Sequence, residues 1–188
     1  MSTPIETVSS RIAYETPWLR IREDEIRYTA TGSSGLYSYI EKRDFALVIP
    51  AEKEGFWLVE QYRYTIGRRQ WEFPQGGWPA SKGGTPAELA AAELREETGI
   101  TAASWSHLSH QYAAYGYSSQ GYDIYLASDL THGAPEREPT EADMRHQWFS
   151  EAEVRAMIGN GTLADAHSVA AWAVLDLSRD GQSDRRPA

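Results

Sequence analysis

"PQGGWPASKGGTPAELAAAELREETGI", residues 74–100, sets a glycine-rich turn ahead of a helix with an acidic face. The helix start is clearly written. Thr85 takes the N-cap, Pro86 the first helical position and Glu88 the far corner of a capping box, while Gly99 supplies the stop. At about 100° per residue, Glu93, Glu96 and Glu97 fall within roughly 100° of arc on one face. Ala87, Ala91, Leu94 and Thr98 are expected to face the core from the other side. Like charges so placed repel by roughly a few tenths of a kcal/mol per exposed pair, a cost that a divalent cation among them removes. A bare E-x-x-E-E is ordinarily a solvated helix face; the glycine turn, the capping and the stop favour a built site. Oxygen-only donors select hard ions over zinc, so Mg²⁺ is expected, with Mn²⁺ as the alternative. The turn also lets backbone approach the same place, where the carbonyl of Gln75 is a further oxygen donor.

Outward from this segment the chain reads mostly as strands. "WLRIREDEIRY" (18–28) alternates apolar and charged residues, "TGSSG" (31–35) is a turn, and "LYSYIEK" follows as a partner strand, so residues 11–42 form a small antiparallel unit. "FALVIPA" (45–51) is apolar throughout and is expected to be central, with "FWLVEQYRY" (56–64) beside it across the turn "EKEG". Residues 105–115 and 122–128 read as two more strands, and 130–145 as a long loop ending at the strand "HQWFS". Ser150 with Glu153 opens a helix that Gly159 is expected to end, and Thr162 with Asp165 opens another carrying Val169, Trp172, Ala173 and Leu177. Residues 180–188 read as a disordered tail. Strands with few helices point to a mixed sheet covered by helices, an α/β or α+β sandwich.

Composition narrows the chemistry. At 188 residues the chain is one domain in size, and its short apolar runs exclude a membrane span. The N-terminus has no basic region followed by an apolar stretch, which makes a cytoplasmic location the expectation. With no cysteine, disulfides, thiolate metal sites and a cysteine nucleophile are excluded. A net charge of -9 without a Lys/Arg cluster argues against a nucleic acid duplex as partner. His107 and His110 are the close histidine pair; three residues apart on a regular strand they face opposite ways, against a shared metal. Ser118 sits in no nucleophile elbow, and no dinucleotide or Walker-type glycine pattern is present.

Residues 71–100 resemble the Nudix box, G-x5-E-x7-R-E-U-x-E-E-x-G-U with U aliphatic. "ELREETGI" (93–100) matches its second half at Glu93, Leu94, Glu96, Glu97, Gly99 and Ile100. The chain departs from it at Ala92, where the family has arginine, and at Gly84, where it has glutamate. The stretch from Gly76 to Gly84 is also two residues longer than the pattern. "FALVIPAEKEGFWLVEQYRYTIGRRQWEFPQGG" is similar to the corresponding region of ADP-ribose pyrophosphatases.

The resemblance implies a Nudix-type α/β/α sandwich over residues 43–179, preceded by an N-terminal β unit, 1–42, that packs on the partner subunit of a homodimer. It implies metal-dependent hydrolysis of a nucleoside diphosphate derivative, ADP-ribose in the first place. Glu93 and Glu97 would be the main metal ligands, Glu96 a ligand or orienting group, and Gln75 a backbone ligand. Arg63 matches a phosphate-binding arginine, otherwise an ordinary surface strand arginine. Trp18 and Tyr37 fall near positions where relatives clamp adenine, with plain packing as the other reading. A late-loop glutamate, Glu141 or else Glu138, would be the catalytic base, and Gln120 stands where several relatives have an acid. Arg68, Arg69 or Lys82 would have to replace the missing box arginine. The departures also leave open a non-catalytic, nucleotide-sensing domain, or an active hydrolase of nucleotide sugars or dinucleoside polyphosphates.

Overall fold

A computed structural model describes residues 3–79, 82–137 and 139–183. Three strands come first, β1 (Ile5–Glu15), β2 (Arg20–Tyr28) and β3 (Ser34–Glu41), paired antiparallel as a separate sheet. Every residue of β1 is exposed. Its hold on β2 comes from the backbone ladder and from polar cross-strand pairs such as Ser9 with Glu25 (2.9 Å) and Arg11 with Glu23.

The main sheet begins with β4 (Phe45–Glu52), β5 (Gly55–Arg63), β6 (Arg68–Glu72) and the short β7 (Gln75–Gly76). Helix α1 (Pro86–Thr98) leads into β8 (Ile100–Tyr112) and β9 (Gly121–His132), and β10 (Arg145–Ser150) runs directly into α2 (Glu151–Asn160) before α3 (Ala166–Ser183) closes the order. The strands run β10-β5-β4-β9-β8, with β6 on β5 and β7 on β4; β4 and β9 are parallel and the other pairs antiparallel.

Strand β4 explains its own apolar sequence. Ala46 and Val48 pack with Leu89, Ala90 and Leu94 of α1, while Leu47 and Ile49 face the opposite side, toward Val154 of α2 and Trp172 and Leu175 of α3. A strand buried on both faces has no use for alternating polar residues. The result is an α+β sandwich with the mixed sheet in the middle, as expected from the sequence.

Several local expectations are corrected. In β8 a bulge between His107 and Ser109 resets the side-chain alternation, so both imidazoles meet Asp123, His107 at 2.7 Å and His110 at 3.4 Å. They share a face after all. Gly159 remains helical; Gly161 takes the left-handed C-cap (φ 78°) and donates to the Ile158 carbonyl. Asp165 alone caps α3, accepting from the Ser168 N–H at 2.8 Å, so Thr162 has no part in it. Helix α3 also continues to Ser183, past the start of the expected tail, and residues 184–188 lie outside those described. Among the described residues, no helix is long and apolar enough to cross a membrane.

Candidate active site

The capping box of α1 forms as read: the Glu88 N–H donates to Thr85 Oγ1 at 3.2 Å, and the Thr85 N–H to Glu88 Oε2 at 2.8 Å. At the other end Gly99 adopts φ 75° and donates to the Arg95 carbonyl. The inward face, however, is only half the expected one: Leu94 and Thr98 face the core as read. Ala87 and Ala91 are exposed, whereas Leu89, Ala90, Leu94, Glu97 and Thr98 are buried. The helix lies against β4, β7 and β8, which turns Glu97 toward the sheet with Ala90 and Leu94, only 1% exposed, and leaves Glu93 and Glu96 half-buried at the margin.

What faces the acids is β7. It is held on β4 by the pairs Ala46–Gly76 and Leu47–Gln75 and by the Val48 N–H on the Pro74 carbonyl (2.9 Å). From there the Gln75 N–H donates to Glu97 Oε2 at 3.2 Å. Gly76 leaves room for the Glu93 carboxylate, which occupies the space a Cβ would need.

A second acid stands behind this segment. Glu72, 1% exposed, accepts from Gln61 Nε2 at 2.6 Å, from Arg63 Nη2 at 2.6 Å and from Gln75 Nε2 at 3.3 Å. Gln75 Nε2 also reaches Asp165 Oδ2 at 3.0 Å; that same oxygen accepts from Ser168 Oγ, which itself accepts from the Phe73 N–H. One end of α3 is thereby tied to the turn that faces α1. Burial would raise Asp165, but His167 and Ser168 hold it well below the ordinary carboxylate range.

The late loop closes the third side. The Glu136 N–H donates to the Glu96 carbonyl at 3.0 Å and Arg137 Nε to the Glu97 carbonyl at 2.9 Å. Glu141, in a short 3₁₀ turn (Pro139–Glu141), lies near enough for its charge to act on Glu97. Glu138 falls outside the described residues.

Beside this cluster opens a cavity of about 1350 Å³, whose walls include Trp18, Arg63, Arg68, Gln75, Gly76 and His167. Trp18 is 77% exposed within reach of it. Tyr37 is not brought to this cavity, because its hydroxyl is tethered to the Gly116 carbonyl at 2.9 Å. Gln120 also lines the space, with its amide donating to the Arg43 carbonyl at 2.7 Å.

Two family models match adjoining parts of the chain: a NUDIX domain over residues 41–172 and a nucleoside diphosphate sugar hydrolase N-terminal domain over residues 5–40. The chain belongs to the Nudix family. Among curated proteins, this Nudix chain is 32% identical over 184 residues to an ADP-ribose pyrophosphatase of Mycobacterium tuberculosis (strain ATCC 25618 / H37Rv), covering 97% of this chain and 88% of the relative. A Bacillus subtilis (strain 168) ADP-ribose pyrophosphatase is 32% identical over 74 residues, 39% of each chain. A solved structure described as an ADP compounds hydrolase superposes with a TM-score of 0.81 over 96% of both chains at 18% identity, a likeness of fold. The chain is a Nudix pyrophosphohydrolase.

The departures from the Nudix box now have surroundings. At position 84 a Cβ would stand 3.0 Å from both Trp78 Cζ2 and Glu88 Oε2, so an indole occupies the room that an early glutamate would need. Lys82 Nζ sits 4.4 Å from the centroid of that Trp78 ring, and Arg69 binds Glu60 and Asp143, so both side chains are committed away from the box glutamates. Arg68 is exposed at the cavity.

The electrostatics suit a cation. Burial pushes the Glu97 carboxyl well above its ordinary value, and the charges of Glu93, Glu141 and Glu72 push it further, with only the Gln75 N–H pulling it down. Glu72 is likewise raised by burial, against the opposing pull of Arg63. Carboxylates crowded this way fit a hard divalent ion, which would offset the repulsion that Glu97 bears. Among the described residues, no three acidic or imidazole groups already stand together as a finished metal cage. The sequence reading missed Glu72 and His167, and saw in Asp165 only the start of a helix. Glu72 lies in "RRQWE", where a buried charge breaks the rule that polar residues point out; Asp165 carried one usable signal, its position three residues before Ser168 at a helix start.

Proposed function

We propose that this protein hydrolyses the diphosphate linkage of ADP-ribose, with Mg²⁺ as its metal and Mn²⁺ as a substitute, giving AMP and ribose 5-phosphate. The observation that carries the reading is the buried Glu97, crowded by the charges of Glu93, Glu141 and Glu72, with Glu72, Gln75 and Gly76 lining a cavity that extends to Trp18. Glu93 and Glu97 hold the metal, Glu96 binds or orients a further site, and the Gln75 carbonyl adds a neutral oxygen. Mg²⁺ bound there supplies charge neutralisation and polarisation of the diphosphate.

Glu141 accepts a proton from water as the water oxygen attacks phosphorus; the bridging P–O bond breaks, and its electron pair leaves with the departing phosphate. Glu138 is the alternative base. Arg63, whose Nε and Nη2 lie on Glu72 at the cavity wall, presents its remaining donors to phosphate. Trp18 stacks on adenine. The exposed apolar residues of β1, among them Ile5, Val8 and Ile12, support a homodimer through the N-terminal sheet, and we assign the protein to the cytoplasm.

The test is an assay of the purified protein with Mg²⁺ or Mn²⁺ against ADP-ribose, nucleotide sugars and dinucleoside polyphosphates, with products resolved by chromatography. Preferential release of AMP from ADP-ribose is expected. Binding without hydrolysis in every metal would replace the reading with a nucleotide sensor, and preference for another derivative would replace the substrate.

A further inference from the structure

The loop that carries Glu141 holds only a single 3₁₀ turn among its described residues, yet its charge is brought to a buried carboxylate. The residues that fix it are identifiable. Helix α1 ends with carbonyls that no later turn can satisfy. Two of them, on Glu96 and Glu97, are taken by the Glu136 N–H and by Arg137 Nε, at 3.0 and 2.9 Å.

Arg137 does more than cap. Its Nη1 donates to the Met144 carbonyl, and its Nη2 lies 2.8 Å from His146 Nδ1. His146 is kept below the ordinary imidazole value by burial first and by Arg137 next, so Nδ1 is available as an acceptor. Met144 is 2% exposed, and its N–H donates to the Glu141 carbonyl at 2.9 Å. One planar guanidinium therefore grips the main chain of Glu97, the neck of the loop at Met144 and the start of β10 at His146 at once. Lysine, with a single ammonium, has no such fork.

We propose that Arg137 is a positioning residue that sets the distance between Glu97 and Glu141, fixing the late loop on the end of the metal-binding helix. It touches neither substrate nor metal. The inference rests on Glu141 being the base, and its test separates the two ideas.

Arg137→Ala and Arg137→Lys are compared with Glu141→Gln in Mg²⁺-dependent ADP-ribose hydrolysis, together with Mn²⁺ binding and amide exchange of peptides within 139–144. A base misplaced by about 1 Å is expected to lower kcat on the order of 10²-fold. KM and the Mn²⁺ dissociation constant should stay within about twofold, because Arg137 meets only the main chain of Glu97 and not its carboxylate, and free guanidinium should restore part of kcat in Arg137→Ala. Exchange in 139–144 should rise. If Arg137→Ala does not fold, Arg137→Lys gives the same reading without the rescue. Unchanged kcat in a folded variant overturns the proposal while Glu141→Gln is inactive. Parallel loss of kcat, Mn²⁺ affinity and thermal stability also overturns it, since that marks a general structural role. If Glu141→Gln retains full kcat, the base assignment fails instead, and the exchange data decide: faster exchange in 139–144 upholds the anchor, and unchanged exchange overturns it.

Discussion

Gly76→Ala separates the proposed metal site from the fold. A Cβ at residue 76 would press hardest on Glu93 Oε2 and stand 2.6 Å from Cδ and 2.7 Å from Oε1, against 3.4 Å for ordinary contact, so the carboxylate must retreat by about 1 Å. Gly76 is not among the glycines with positive φ, so alanine meets no backbone strain. The obstructing atoms are the far end of a flexible side chain, which can swing away. Stability should therefore change by less than about 1 kcal/mol, and a small gain from a stiffer unfolded chain is as expected as a loss. Function should not be spared. Displacement of about this size in a reacting constellation costs on the order of 10²-fold, here in kcat/KM and in metal affinity together. Steady-state hydrolysis at several Mg²⁺ concentrations, Mn²⁺ titration and a thermal melt measure the three quantities. Full activity with unchanged metal affinity would refute the reasoning, since Glu93 would then not need the space that Gly76 leaves.

Three further outcomes follow from the same geometry. Glu97→Gln should abolish metal-dependent turnover while the protein stays folded. Because burial raises the folded pKa of Glu97, its contribution to stability is complete below the ordinary value of 4.5 and is lost as pH rises above it. The metal-free wild type should thus show a Tm that falls as pH rises above the ordinary carboxylate value, a slope that Glu97→Gln flattens and Mg²⁺ lifts; a level profile in chelator would contradict this. Asp165→Ala strips the acceptor from Ser168 and Gln75 and should cost about 1–3 kcal/mol by denaturant unfolding at neutral pH. Since Asp165 is depressed, that stability is present above the ordinary value of 3.8 and disappears as pH falls, so the variant and wild type should converge in acid. Trp18→Ala should weaken ADP-ribose binding by about 1–3 kcal/mol with kcat preserved, seen as raised KM alone; an unchanged KM would remove the stacking role.

The sandwich was readable where a segment obeys one rule. The capping box of α1 and the unbroken apolar run of β4 are cases in which local chemistry and tertiary place agree. Strand β1 was hidden because both its faces are exposed and bulges near Val8 and Ala13 interrupt its alternation, leaving pairing with β2 as its reason to be extended. The acids of α1 were legible as a group but not in orientation: periodicity put Glu97 opposite the core, whereas packing on β4 and β7 places it inside. Glu72 was hidden for a related reason, because only the three-dimensional approach of Arg63, Gln61 and Gln75 makes a charge tolerable there. Arg137 gave no pattern at all. Its importance comes from two main-chain carbonyls and an imidazole separated in sequence.

The large cavity is walled on one side by residues 15–20 and 41, from the small sheet, and on the other by the box turn and the start of α3. The two parts are joined by main-chain bonds between Ile40 and the 117–119 stretch, Ile40 N–H to Tyr117 and Ser119 N–H to Ile40. In the proposed reading, contact with the base and cleavage of the diphosphate thus fall to separate stretches of the chain. On that reading, substitutions in residues 15–20 and 41 are expected to change which nucleoside derivative is admitted while leaving the carboxylate cluster untouched.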